Sequence, residues 1–355
     1  MKKQTKKLKN LFEKYNCDSI LISKFENYSY FSGFTGSYAY LLVTKDINYL
    51  FTDFRYFEQA LLEAPECELV KVNNDFYDCL RDRLNSHNVK RIVFEGNTMT
   101  YTDYDEIKKH IFDIDVVSAK NDIDDIRMIK DKKEIEKIKK AVEIADLTFN
   151  HILEYIKPNI SEKDIAAEME YFMKKNGATK ESFQTIVASG YRSSMPHGIA
   201  SDKIIEKGEA ILLDFGAVYE GYCSDMTRTV FLGNPKDDML KIYTIVLEAQ
   251  NKAIEFIRDG VLGIEVDLVA RKVISDAGYE KCFGHGLGHG VGLEIHEGPK
   301  VSPSGKNTLL KNMVTTIEPG IYLSGNFGVR IEDIVVVEDK KSKILTGSTK
   351  EIIIL

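Results

Sequence analysis

Between residues 284 and 299 the chain reads GHGLGHGVGLEIHEGP, with glycine at 284, 286, 288, 290 and 292. This alternation constrains the fold more than any other feature. His285 and His289 stand four apart, as on a metal-binding helix, but each glycine would cost such a helix roughly 1 kcal/mol relative to alanine. A period of two fits an extended strand instead. His285, Leu287, His289 and Val291 would then share one face, with glycines opposite where another backbone can approach closely. No glycine, any, glycine, any, any, glycine register can be cut from the stretch, so it is not a dinucleotide fingerprint.

Residues 210–232, AILLDFGAVYEGYCSDMTRTVFL, are two β-rich runs about a YEGY turn, with Gly221 supplying the tight position. Asp214 and Asp225 are symmetric about a midpoint between 219 and 220. That symmetry predicts that they face each other across the ladder, with Cβ atoms about 5 Å apart. Opposed like charges destabilise a sheet, and aspartate is a poor strand former; a bound cation is the simplest reason for the pair. Residues 314–337, VTTIEPGIYLSGNFGVRIEDIVVV, repeat the pattern, with Glu318 and Glu332 symmetric about Gly325. Their apolar surroundings make a buried charge expensive. A solvated face would explain either pair alone, but not both pairs beside a histidine-glycine strand. Four carboxylates with one imidazole, that of His289, suit two divalent ions of the Mn, Co, Zn or Fe kind, with charges in balance. Arg330, two residues before Glu332 and on the same strand face, would hold a ligand carboxylate.

Up to about residue 120, short apolar runs (SILIS, YAYLLV, INYLFTD, KRIVFEG) alternate with helical patterns at 54–64, 75–86 and 101–111, an α/β arrangement. The basic opening MKKQTKKLKN begins an amphipathic helix through Leu8, Leu11 and Phe12. A long amphipathic helix carries Ile135, Ile138, Ala141, Val142 and Ala145 and is ended by Pro158. A second one has Ser161 as cap, Asp164 three residues on, and Gly177 as stop. Strands and hairpins dominate from 183 onward, interrupted by helical patterns at about 237–258 and 264–277. Two domains are expected, 1–124 and 125–355. A net charge of −7 speaks against a nucleic-acid partner. No apolar run approaches the ~18 residues of a membrane span. Five scattered cysteines without a CxxC pair read as reduced thiols and, with no signal peptide, predict a cytoplasmic protein.

The motifs LLDFGAVYEGYCSDMTRT, GHGLGHGVGLEIHEGP, TIEPGIY and GVRIED, in that order, resemble the pita-bread-fold metallopeptidases. The two-domain Xaa-Pro peptidases, aminopeptidase P and prolidase, are the nearest members. YFSGFTGSYAYLLVT and YLFTDFRYFEQA look like that group's smaller domain. The resemblance implies an α/β N-terminal domain of creatinase/prolidase type, ribonuclease-H-like, followed by an α+β pita-bread catalytic domain. It implies metal ligands Asp214, Asp225, His289, Glu318 and Glu332 around two divalent ions, manganese first and Co, Zn or Fe after it. His197 in SMPHGIA, His285 and His296 match active-site positions. The resemblance has His285 and His296 face the substrate, with His197 or His296 stabilising the oxyanion; Glu318 doubles as proton shuttle. The implied reaction is hydrolysis of the bond between an N-terminal residue and proline, by a homodimer or higher homo-oligomer. Retained ligands weigh against two other uses of this fold, a catalytically inactive binding module and a metal-free creatinase-like hydrolase. Dipeptidase members place an arginine shortly after HE-x-P to clamp a dipeptide carboxylate. Lys300 stands there in this chain and lacks the bidentate fork, so peptides longer than dipeptides are expected as substrates too.

Overall fold

The computed structural model describes residues 5–355, so the first four residues of the basic opening lie outside the described residues. The chain folds as two compact units, Met1–Arg127 and Met128–Leu355.

In the first unit, α1 (Lys9–Tyr15) follows a 3-10 turn at Thr5–Leu8 and buries Leu11. Strands β1 (Ser19–Ile22), β2 (Tyr40–Thr44), β3 (Asn48–Thr52), β4 (Glu68–Lys71), β5 (Arg91–Phe94) and β6 (Asp115–Ser118) form one sheet ordered β4-β3-β2-β1-β5-β6. The β1–β2 and β2–β3 pairs are antiparallel, and the other three are parallel. Parallel neighbours need long crossovers. The helices α2 (Phe25–Ser32), α3 (Phe57–Glu63), α4 (Phe76–Ser86), α5 (Tyr101–His110) and α6 (Asp122–Asp125) lie in those connections or follow them. Every residue of β1 and β3 is buried, as central strands of a covered sheet must be. The edge strands β4 and β6 are only partly buried and lack an apolar run, which is why the sequence does not announce them.

The second unit has two halves that repeat one order, a helix pair and then strands. The first half opens with α7 (Lys132–Tyr155) and α8 (Glu162–Lys175). Asp131 caps α7 by accepting the Lys133 and Glu134 N–H groups, and Ser161 caps α8 with Asp164 returning the bond. Strands β7 (Lys180–Glu181), β8 (Ile186–Ser189), β9 (Glu209–Phe215), β10 (Ala217–Tyr219), β11 (Tyr222–Cys223) and β12 (Met226–Leu232) follow. The second half repeats this with α9 (Asp237–Phe256) and α10 (Gly263–Asp276). Strands β13 (Gly288–Gly290), β14 (Glu297–Val301), β15 (Val314–Ile317), β16 (Gly320–Leu323), β17 (Phe327–Arg330), β18 (Asp333–Val337) and β19 (Ser342–Ile344) complete it. Ala145, Phe149, Ile152 and Met169 of the first helix pair are buried with Leu213 and Phe215 of β9. Val246, Ala249 and Ala253 of the second pair are buried with Ile317, Val335 and Val337. Each large side chain so buried contributes roughly 1.5–3 kcal/mol. This packing clamps the helices on one side of the strands and leaves the other side to build a site.

Candidate metal centre

Both carboxylate hairpins open onto one cavity of about 450 Å³. Its lining includes every ligand, histidine and arginine nominated from the sequence: His197, Asp214, Asp225, His285, His289, His296, Glu318, Arg330 and Glu332. Phe183, Gln184, Ile186, Pro196, Ile199 and Ile295 supply a largely apolar remainder that no sequence signal marked.

The second hairpin has the register its symmetry predicts. Gly320 pairs with Arg330 in the β16–β17 ladder, and Ile317 pairs with Asp333 in the β15–β18 ladder. Glu318 and Glu332 therefore stand opposite each other in the break between the two ladders. The first hairpin corrects the expectation. Asp214 pairs with Thr227, not with Asp225. The turn falls on Glu220 and Gly221, both left-handed (φ 45° and 84°), with Tyr219 paired to Tyr222. The hairpin centre is thus one residue later than the symmetry about 219 and 220 suggested. The same register runs past Gly216, whose backbone lies so close to the facing strand that a Cβ would fall 1.9 Å from the Ser224 carbonyl oxygen. Asp225 consequently sits two residues before Thr227, on the diagonal from Asp214 and on the same face.

The glycine-rich stretch is extended only over β13. Added Cβ atoms at Gly288 and Gly290 would each lie 2.0 Å from a carbonyl oxygen, of Thr316 and Gly298 respectively. Glycine there lets the strand wedge between β14 and β15. The predicted four-residue face does not survive. The chain bends at His285 and Leu287, so Leu287 and Val291 enter two different apolar clusters while His285 and His289 line the cavity. His289 Nδ1 lies 3.1 Å from the Gly290 carbonyl and donates to it. That bond leaves the Nε2 lone pair free, 3.5 Å from Asp225 Oδ2 and 3.5 Å from Glu318 Oε1.

Asp214, Asp225 and Glu332 are buried (8%, 5% and 1% exposed), a costly place for charge. Burial, then the charges of Glu332, Asp214 and Glu318, raise the Asp225 carboxyl well above its ordinary range. Burial and the charges of Glu318 and Asp214 do the same to Glu332. Burial and then Asp214 push Glu318 up to about 8, against the pull of Arg330. Burial takes His289 down to about 4 and His285 down to about 4, so both imidazoles are neutral near pH 7. Arg330 is the cation inside the cluster. It donates to Asp214 Oδ2 (2.5 Å), Thr227 Oγ1 (3.0 Å), the Tyr322 hydroxyl (2.8 Å) and the Pro196 carbonyl (3.1 Å). Thr227 in turn donates to Glu332 Oε2 at 2.7 Å.

One positive charge does not satisfy four carboxylates. Asp214 Oδ1 and Glu332 Oε1 are buried without a hydrogen-bond partner, a state that needs an explanation in a native fold. Asp225, His289 and Glu332 each offer a ligand atom, all within 4.8 Å of one another. Hard carboxylate oxygens with one imidazole nitrogen are the donor set of divalent Mn, Co, Zn or Fe. The residues present therefore fit a metal centre.

Three further features shape the cavity. His285 Nδ1 lies 2.8 Å from the Gly286 carbonyl, and its Nε2 accepts from the Tyr322 hydroxyl at 2.9 Å. Tyr322, inside the quoted TIEPGIY run, thus links His285 to Arg330. No sequence pattern marks it, because the link is made only by folding. The His296 ring lies 4.3 Å from that of His289. Behind Glu332, Arg228 donates to the Glu332 carbonyl (2.5 Å) and to Asp333 (2.7 Å), both partners of the pair being 1% exposed. Lys300, by contrast, is exposed and does not line the cavity, although it pairs with His289 in the β13–β14 ladder. All five cysteines are free, and no described helix is long and apolar enough to cross a membrane.

Comparison with known proteins supports the same reading. Residues 136–339 match metallopeptidase family M24, and residues 4–129 match the creatinase/prolidase N-terminal domain. A Xaa-Pro dipeptidase of Pyrococcus horikoshii is 41% identical over 99% of this chain and 99% of its own. The solved Xaa-Pro dipeptidase from Bacillus anthracis has a TM-score of 0.97 at 41% identity, covering 99% of both chains. The solved X-Pro aminopeptidase from Thermotoga maritima has a TM-score of 0.92 at 42% identity, again over 99% of both.

Proposed function

The chain belongs to metallopeptidase family M24, and from that premise we propose that it hydrolyses the bond between an N-terminal residue and proline. Its fold is a creatinase/prolidase-type α/β domain followed by a pita-bread catalytic domain. Both the dipeptidases and the aminopeptidase it resembles bear Xaa-Pro names. One observation carries the reading: four clustered carboxylates meet one correctly oriented imidazole, with two carboxylate oxygens left without partners.

Asp214, Asp225, His289, Glu318 and Glu332 would hold two divalent ions, manganese before cobalt, zinc or iron. Such ions, when bound, supply Lewis-acid polarisation of a carbonyl and a nucleophile at neutral pH. The chain's own groups do the rest. Arg330 fixes one oxygen of Asp214, and Thr227 fixes one of Glu332, so the remaining oxygens keep their aim. Glu318 keeps 16% of its side chain exposed to the cavity, more than the other three carboxylates, and is the group placed to move a proton. Proline's nitrogen carries no hydrogen in a peptide bond, so the departing nitrogen must receive its proton from such a group. His197 and His296 donate to the oxyanion, and His285, set by Tyr322, contacts the substrate. Among the described residues lining the cavity, Arg330 is the sole lysine or arginine, and its guanidinium is already engaged. No lining lysine or further arginine is left to clamp a dipeptide carboxylate, which favours longer peptides beside Xaa-Pro dipeptides. Five free cysteines suit a reducing compartment such as the cytoplasm, and the motif resemblance extends the reading to a homo-oligomer.

The test is activity of manganese- or cobalt-loaded protein against Xaa-Pro dipeptides, Xaa-Pro tripeptides and matched Xaa-Ala controls. Cleavage confined to the proline peptides supports the proposal. Equal cleavage of Xaa-Ala peptides contradicts it.

A further inference from the structure

The cavity wall that carries His197 is an arch, residues 189–201, and one buried carboxylate ties both of its feet. Glu162, in the first turn of α8, is fully buried at 0% exposure. Its Oε1 accepts the Ser189 N–H (2.7 Å) and the Ser189 hydroxyl (2.9 Å), at the start of the arch. Its Oε2 accepts the Ser201 N–H (3.1 Å) and the Ser201 hydroxyl (2.7 Å), at the end. Arg192, inside the arch, donates Nε–H to the same Oε2 (2.9 Å) and a second N–H to the Ile199 carbonyl (2.5 Å). Between these ties the arch is a 3-10 turn, Gly190–Ser194, followed by irregular backbone. Its crown is held from the opposite side by Arg330 on the Pro196 carbonyl and by the Gly328 N–H on the Ser193 hydroxyl.

A first-turn acid needs no such arrangement to stabilise its helix, since Ser161 already caps α8. A fully buried carboxylate is costly unless its lone pairs are filled, and here all five partners are donors. An amide cannot replace it, because its NH₂ half would face donors. We propose that Glu162 is a positioning residue for catalysis: by closing the arch it holds the His197 imidazole at the substrate carbonyl. The inference rests on the reading of His197 as an oxyanion donor.

The experiment is a double-mutant cycle on the metal-loaded enzyme, with kcat, KM and metal stoichiometry measured for each variant. His197→Ala should lower kcat about 10²–10³-fold, the usual loss for such a donor. Glu162→Gln should lower kcat by about 10–100-fold, because small misplacements are that costly, with metal stoichiometry unchanged and KM within about threefold. In the Glu162→Gln background, His197→Ala should cost less than about tenfold more, since a misplaced donor has little left to lose. If Glu162→Gln does not fold, Ser201→Ala removes one donor only and should show the same coupling on a smaller scale. Losses that multiply independently, a Glu162→Gln variant at full kcat, or one that loses its metal would overturn the proposal. A His197→Ala variant at full rate would instead overturn the role of His197, and this inference with it.

Discussion

Glu318→Gln should stabilise the metal-free chain at alkaline pH while abolishing activity. Burial and the Asp214 charge push the Glu318 carboxyl from its ordinary 4.5 to about 8. Below pH 4.5 the folded and unfolded chains are both protonated there, and no penalty exists. As pH rises from 4.5 to 8 the unfolded chain releases a proton that the folded chain keeps, so stability falls, and above 8 the loss is complete. At about 1.4 kcal/mol per pH unit the full gap corresponds to roughly 5 kcal/mol. Water reaching the 16% of the side chain that is exposed screens part of it, leaving about 2–4 kcal/mol. For a unit of this size that is roughly 5–15 °C in Tm. Thermal unfolding of chelator-stripped wild type and variant at pH 5 and pH 9 measures it. The two should nearly coincide at pH 5, and the variant should melt higher at pH 9. Added manganese should reverse the order, because only the wild type keeps its full ligand set and is stabilised by binding. A variant that melts below the wild type at pH 9 without metal would refute the account of a charge-strained cluster.

His289→Ala should lower metal occupancy, whereas His296→Ala should keep the metal and lose mainly kcat, by about 10²–10³-fold; elemental analysis beside steady-state kinetics separates them. Lys300→Ala should leave kcat/KM for an Xaa-Pro dipeptide within about twofold, and a tripeptide sharing its first two residues should lie within about tenfold, a difference of 1.4 kcal/mol. A thousandfold dipeptide preference would show that some other residue captures the carboxylate. Arg228→Leu removes the 2.7 Å partner of Asp333 while Lys350 stays 2.9 Å from its other oxygen, so it should cost about 1–3 kcal/mol by chemical denaturation.

The two hairpins show what a sequence can and cannot disclose. Glu318 and Glu332 were readable because a loop centred on Gly325, itself left-handed (φ 73°), sets a register that runs unbroken from one ladder to the next. Asp214 and Asp225 were readable as a pair but not as neighbours. YEGY admits more than one turn centre, and register follows the turn actually taken, here at Glu220 and Gly221. The alternating glycines correctly excluded a helix, yet the bends at His285 and Leu287 answer to packing around the stretch rather than to its period. Tyr322, Thr227 and Glu162 were silent because each acts on residues far away in sequence. Glu162 in particular looks like any acid in a first helical turn until Ser189, Arg192 and Ser201 fold onto it. The exposure of Lys300 is not legible, because sequence distance from HE-x-P does not say which way a strand residue meets solvent.

The central claim is that Asp214, Asp225, His289, Glu318 and Glu332 together hold two divalent ions. Elemental analysis of protein stripped with chelator, reloaded with manganese and freed of excess metal tests it most directly. Two ions per chain, falling below two in Asp225→Asn with the fold intact by circular dichroism, is the expected result. No retained ion, or two ions per chain undiminished in Asp225→Asn, would contradict it.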